Sequence, residues 1–240
     1  GEGKTKLAIY TALYLTIRGL SHFPIVIGKN QRKSEAELRT VREKLQQSPL
    51  LLADFPELAL PFKAVGGWSS RARMQTVRGE YTNLKIAADH IIFPTIGEHQ
   101  LPDDWPDDMP SISHGQIIAS LGIDGGIRGT NYRDVRPDIA IIDDIEDRQA
   151  ADSDALIEKN EEIIEQDIGG LFLCTIQNRK CVAFKFTDPK QKPSWKGKRY
   201  RKMIKPPDRM DMVQEYLRLR IEREDSDPDA RVAYRYWKEN

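Results

Sequence analysis

Cysteine is nearly missing from this 240-residue chain, with only Cys174 and Cys181 present, so a disulfide scaffold and a four-cysteine zinc site are both excluded. No apolar run approaches the roughly 18 residues that a membrane span requires, and no membrane partner is expected. The sequence opens without a charged-then-apolar leader, and the expectation is a cytoplasmic protein. His22, His90, His99 and His114 lack metal-ligand spacing. Net charge is absent too, since 37 Lys and Arg balance 37 Asp and Glu. What remains is an ordinary folded composition, 39% apolar and 31% charged, too apolar for a disordered chain.

The zero balance conceals a segregation. Residues 138–167 hold 12 acidic and 2 basic side chains, whereas residues 178–209 hold 12 basic and 2 acidic ones. Two solvated faces account for such runs, and so does a metal-binding edge followed by a surface for a polyanion. The charge pattern does not choose between them.

Gly1-Glu2-Gly3-Lys4-Thr5-Lys6 ends as a phosphate-binding loop ends, with Gly-Lys-Thr. Gly3 lets the backbone approach a phosphate, Lys4 offers a point charge to the β- and γ-phosphates, and the Thr5 hydroxyl suits Mg²⁺. Residues 1–6 are therefore the candidate nucleotide-binding segment. A helix is expected next, because its N-terminal N–H groups favour an anion. Leu7 to Ile17 is apolar nearly all round, which predicts a largely buried helix stopped by Gly19. The first glycine of the loop and the strand that feeds it are expected upstream of residue 1.

Asp138-Ile139-Ala140-Ile141-Ile142-Asp143-Asp144-Ile145-Glu146-Asp147 supplies a second half to such a site. Four consecutive apolar residues, three of them β-branched, read as a buried parallel strand. Carboxylates then fall at its carboxyl end, where open α/β sheets bind ligands. Asp143 is the candidate Walker B ligand to Mg²⁺, and Asp144 and Glu146 are the candidates for activating water. Further strands are expected at Pro24–Gly28, Gln116–Gly122 and Leu171–Ile176. Ser34-Glu35-Ala36-Glu37 reads as a capping box ahead of Leu38, Val41 and Leu45. Ser153 is expected to cap a helix that turns Ile157, Ile164 and Ile168 inward. Strands alternating with helices predict an α/β fold around a parallel sheet.

Ile127-Arg128-Gly129-Thr130-Asn131-Tyr132-Arg133-Asp134-Val135-Arg136-Pro137-Asp138, leading into Asp143-Asp144-Ile145-Glu146, resembles a signature of phage terminase large subunits. The resemblance reaches from Gly3 to about Thr175. It implies a P-loop, RecA-like (ASCE-type) ATPase core whose first strand is missing from the fragment, taken as residues 1–178, with a basic connector over 179–240 leading toward an absent nuclease domain. Endonuclease activity is accordingly expected only of a full-length parent. The implied activity is hydrolysis of Mg-ATP coupled to translocation of double-stranded DNA into a capsid. The implied partners are a homo-oligomeric ring at the capsid portal and a terminase small subunit, in the host cell cytoplasm. Thr175, or Gln177, stands at the family's coupling position. Arg128, Arg133 and Arg136 are candidates for an arginine that reaches the γ-phosphate of a neighbouring subunit, with Arg133 favoured.

Lys196, Lys198 and Arg199 lie in a stretch that interleaves cations with aromatics, which suits phosphate contact without sequence readout. Trp68 to Arg73 is a weaker basic candidate. Two other readings stay open at this stage: a different P-loop nucleic-acid ATPase such as a helicase, and a nucleotide- or DNA-binding fragment without turnover.

Overall fold

The structure is a computed structural model that describes residues 3–66, 68–100, 103, 114–125, 130–167, 169–200 and 210–222. Two compact units divide the chain, Gly1–Gly197 and Lys198–Asn240.

The first unit is an α/β sandwich. In chain order it contains α1 (Lys4–Ile17), β1 (Pro24–Gly28), α2 (Gln31–Gln47), α3 (Pro49–Asp54), α4 (Pro56–Val65), a 3₁₀ turn (Ser69–Met74), β2 (Thr76–Val77), β3 (Glu80–Tyr81), β4 (Lys85–Ile86) and β5 (His90–Ile92). It continues with β6 (Ile117–Gly122), β7 (Ile139–Asp143), α5 (Arg148–Ala151), α6 (Asp154–Asp167), β8 (Gly170–Leu173) and α7 (Val182–Lys185). Six strands form one sheet in the order β4-β5-β6-β1-β7-β8, and β2 pairs with β3 as a separate ribbon. Neighbours from β6 to β8 run parallel, while β4 and β5 add an antiparallel arm.

The uninterrupted apolar runs are explained by two covered faces. Val26, Ile118 and Ile141 pack against Ala8 and Ile9 of α1, Leu38 and Val41 of α2, and Phe62 of α4. Ile25, Ile27, Ala140 and Ile142 face the other way, onto Ile157 and Ile164 of α6 and Val182 of α7. β8 is half-buried along its length, because among the described residues it pairs only with β7.

Local details depart from expectation in four places. α1 is not buried all round: Leu7, Tyr10 and Tyr14 are 53%, 45% and 58% exposed, since the sheet covers only the face that carries Ala8, Ala12 and Ile9. Its stop is as expected, with Gly19 in the left-handed region after the last turn and Leu20 N–H closing onto Leu15 O at 2.8 Å. α2 starts three residues before its expected cap, because Asn30 accepts from Lys33 N–H at 2.9 Å. Ser34 is instead a buried interior residue, donating to Leu121 O at 2.8 Å and accepting from Gly28 N–H at 3.0 Å. β8 ends at Leu173, so Thr175 and Ile176 belong to the loop beyond it. Residues 179–197 pack onto the sheet unit, with Phe186 against Phe172 at 5.8 Å and against Trp195 at 4.9 Å.

In the second unit, the described residues are Lys198 to Tyr200 and α8 (Met210–Glu222), which carries an ion pair between Arg218 and Glu215.

Candidate active site

α1, α2 and β7 all present their ends at the carboxyl edge of the parallel strands. α1 begins there because Gly3 adopts φ +81°, a left-handed conformation in which an added side chain is strained whatever the space. β7 delivers Asp143 as its last residue. The Thr5 hydroxyl donates to Asp143 Oδ2 at 2.6 Å, so the Gly-Lys-Thr segment and the aspartate-rich strand end meet in space. Asp143 is fully buried, and its other oxygen, Oδ1, accepts no hydrogen bond among the described residues.

Two residues that sequence reasoning missed complete this corner. Lys33 lies 3.6 Å from Asp143 Oδ2 and 3.8 Å from Glu37 Oε1. Glu37 is buried, and burial pushes its carboxyl up to about 7, with the Asp143 carboxylate beside it adding to the rise and Lys33 opposing it. The available signal was the Lys33–Glu37 spacing of four on a helix. The Ser34–Glu37 match to a capping box assigned Glu37 a different partner.

The remaining carboxylates occupy distinct settings. Asp144 is half-buried, with φ +44°; its N–H donates to Leu173 O at 2.9 Å and its Oδ1 accepts from Thr175 N–H at 3.3 Å. Glu146 is buried with both oxygens engaged, accepting from Val182 N–H at 3.2 Å and Ala183 N–H at 3.4 Å. Burial raises its pKa and the two N–H donors pull it back. Asp147 caps α5, accepting from Ala150 N–H at 2.9 Å, and pairs with Lys29. Lys4 is half-buried, and its charge, like that of Asp144, acts on the Cys174 thiol. Burial dominates there and pushes the thiol up to about 12, away from the thiolate form.

Other candidates lie elsewhere. Lys6 is exposed on the first turn of α1. Arg133 and Asp134, at φ +54° and +61°, form the tip of a tight two-residue turn closed by Tyr132 and Val135. Tyr132 stacks on His90 of β5 at 4.1 Å. That strand is three places from β7, roughly 14 Å at about 4.8 Å per strand. Arg133 is exposed and makes no ion pair with Asp143 among the described residues. Arg136 and Gln177 are exposed. Gly1, Glu2 and Arg128 lie outside the described residues. Lys196, Lys198 and Arg199 are exposed, whereas nearby Lys192 is neutralised by Glu165 at 2.6 Å and Glu161 at 3.4 Å. Arg71 lies over the Trp68 ring at 5.8 Å.

Among the described residues, no group of three His, Cys, Asp or Glu side chains gathers to hold a metal ion, and no helix is long and apolar enough to cross a membrane. Mg²⁺ needs less than such a cage, since one or two carboxylates with water and phosphate oxygens suffice. A threonine hydroxyl against a buried carboxylate that keeps one free oxygen fits that ion. No protein-family model, curated protein or solved structure matches the chain.

Proposed function

We propose that the chain is the ATPase core of a viral DNA-packaging motor of the terminase large-subunit type, hydrolysing Mg-ATP to move double-stranded DNA. The observation that carries the reading is the Thr5–Asp143 hydrogen bond at 2.6 Å, which joins segments 138 residues apart at one corner of the sheet. A P-loop, RecA-like reading of the fold is supported by α1 starting at Lys4 after a left-handed Gly3 and by the parallel core of the sheet.

In this reading Lys4 meets the β- and γ-phosphates of ATP, while Thr5 and Asp143 hold Mg²⁺. The ion supplies charge neutralisation for the phosphoryl oxygens when bound. Asp144 is favoured over Glu146 for orienting water, because both Glu146 oxygens are committed to backbone N–H groups, whereas among the described residues Asp144 accepts only through Oδ1. Glu146 then braces the loop. Thr175 N–H on the Asp144 carboxylate gives the coupling position a direct path to the water-orienting group. Arg133, exposed at the tip of its turn, suits a contact to a neighbouring subunit in a ring at a capsid portal. A terminase small subunit and the host cell cytoplasm complete the proposed setting.

The test is duplex-stimulated ATP hydrolysis. Lys4→Ala abolishes turnover in this reading, and undiminished turnover removes it; strand separation would favour a helicase instead. Charge reversal of Lys196, Lys198 and Arg199 lowers DNA affinity and its salt slope. An unchanged slope makes that segment a connector only.

A further inference from the structure

Lys33 and Glu37 have no part in the scheme above, yet both sit against its central aspartate. Gly28 leaves room for the Ser34 hydroxyl, since a Cβ there would lie 2.6 Å from Ser34 Oγ. Ser34 then locks the helix to Gly28 N–H and Leu121 O. With α2 fixed, Lys33 and Glu37 come to the buried end of β7.

The hydrogen bonding there is incomplete in a specific way. Asp143 Oδ2 takes the Thr5 hydroxyl and faces the Lys33 ammonium. Asp143 Oδ1 and both Glu37 oxygens accept no hydrogen bond among the described residues, although Asp143 is fully buried and Glu37 is only 5% exposed. Two buried carboxyls thus face one another across one ammonium, and when both are ionised three of their oxygens lack donors. Like charges so placed need a proton or a cation between them. Oxygens without donors, from two carboxylates and a nearby hydroxyl, are the ligand set that a hard divalent ion takes. The ammonium can withdraw, since the Lys33 side chain keeps 36% exposure to solvent.

We propose that Glu37 is the second carboxylate of a divalent-cation site shared with Asp143, and that the Lys33 ammonium holds the two carboxylates together until the ion displaces it. This rests on the reading that Thr5 and Asp143 bind Mg²⁺. It adds α2 to the site, so that ion binding draws helix and strand together from both sides.

Mn²⁺ titrated into the full chain without nucleotide, followed by loss of the free-ion electron paramagnetic resonance signal, tests it. Glu37→Gln and Asp143→Asn each weaken Mn²⁺ binding by about 10–100-fold. Lys33→Met, which removes the competing charge and keeps both carboxylates, tightens it. Wild-type affinity in Glu37→Gln with weakened binding in Asp143→Asn overturns the role of Glu37 and leaves the Asp143 reading intact. Unchanged binding in both variants removes both. Thermal melts in chelator verify folding, and if Glu37→Gln does not fold, unchanged or weaker binding by Lys33→Met overturns the proposal.

Discussion

Two carboxylates on this sheet are treated in opposite ways. Asp89 gives each oxygen a donor: Tyr132 Oη donates at 2.6 Å, and His90 Nδ1 lies 2.9 Å away. Burial works against its charge, but the Tyr132 and His90 hydrogen bonds prevail and hold its pKa below the ordinary value. Burial lowers the pKa of His90 and raises that of Tyr132. With Nδ1 donating, the neutral ring leaves Nε2 as a bare acceptor, a modest loose end. Asp143 is buried more deeply and has less help, and Glu37 beside it faces that carboxylate and the Lys33 ammonium. The first cluster is closed and ties the 130–138 segment to β5. The second is open, and its deficit is the observation on which the proposed cation site rests.

The widest expected separation is kinetic. Asp144→Asn slows single-turnover hydrolysis by about 10²–10⁴-fold with nucleotide affinity retained, the range of a lost general base. Tyr132→Phe leaves that rate unchanged and lowers the melting temperature. Glu146→Gln behaves as a brace, costing about 1–3 kcal/mol of stability through the amide it turns toward backbone donors. A larger kinetic defect in Glu146→Gln than in Asp144→Asn would reverse the assignment.

Opposite pH dependence is the next effect. Glu37 titrates near 7 in the fold and near 4.5 when unfolded, so the folded state holds the extra proton and stability falls as pH rises through that window. The loss is on the order of 3 kcal/mol and is complete above pH 7. His90 has its pKa depressed by burial, with Lys85 adding to the depression and Asp89 opposing it. Its contribution is present above pH 6.5 and is lost as pH falls toward the folded value. Melts in chelator from pH 5 to 8 show a shallower high-pH loss in Glu37→Gln and a shallower low-pH loss in His90→Phe. Parallel curves for the two variants would erase the contrast.

Smallest is the cost of breaking the closed cluster. The Asp89 side chain is 43% exposed, so water replaces part of what it offers. Asp89→Ala therefore costs about 1–2 kcal/mol in urea unfolding, with Mn²⁺ affinity untouched. A drop in that affinity would mean the two regions are coupled.

The parallel core was legible because its strands are short, β-branched and bounded, as in Pro24–Gly28 and Ile139–Asp143. The antiparallel arm was not, since two residues at Lys85–Ile86 and three at His90–Ile92 show no period to detect. Apolar character carries the Leu171–Ile176 run past its true end, where Asp144 captures the Thr175 N–H. Within the site, Thr5 and Asp143 could be paired in advance because each has a chemical reason to face the same ligand. Glu37 could not, as a glutamate four residues after a lysine is commonplace on helices and its partner lies in a remote strand.

Gly28 sets a consequence for variation far from the carboxylates. A methyl added at Gly28 would meet the Ser34 hydroxyl at 2.6 Å while Ser34 Cβ and N stay at 3.7 Å, so Gly28→Ala turns that hydroxyl off Gly28 N–H and Leu121 O. Such a change touches no charged atom, yet it removes a tie that holds α2, and with it Lys33 and Glu37, against the carboxyl end of β7.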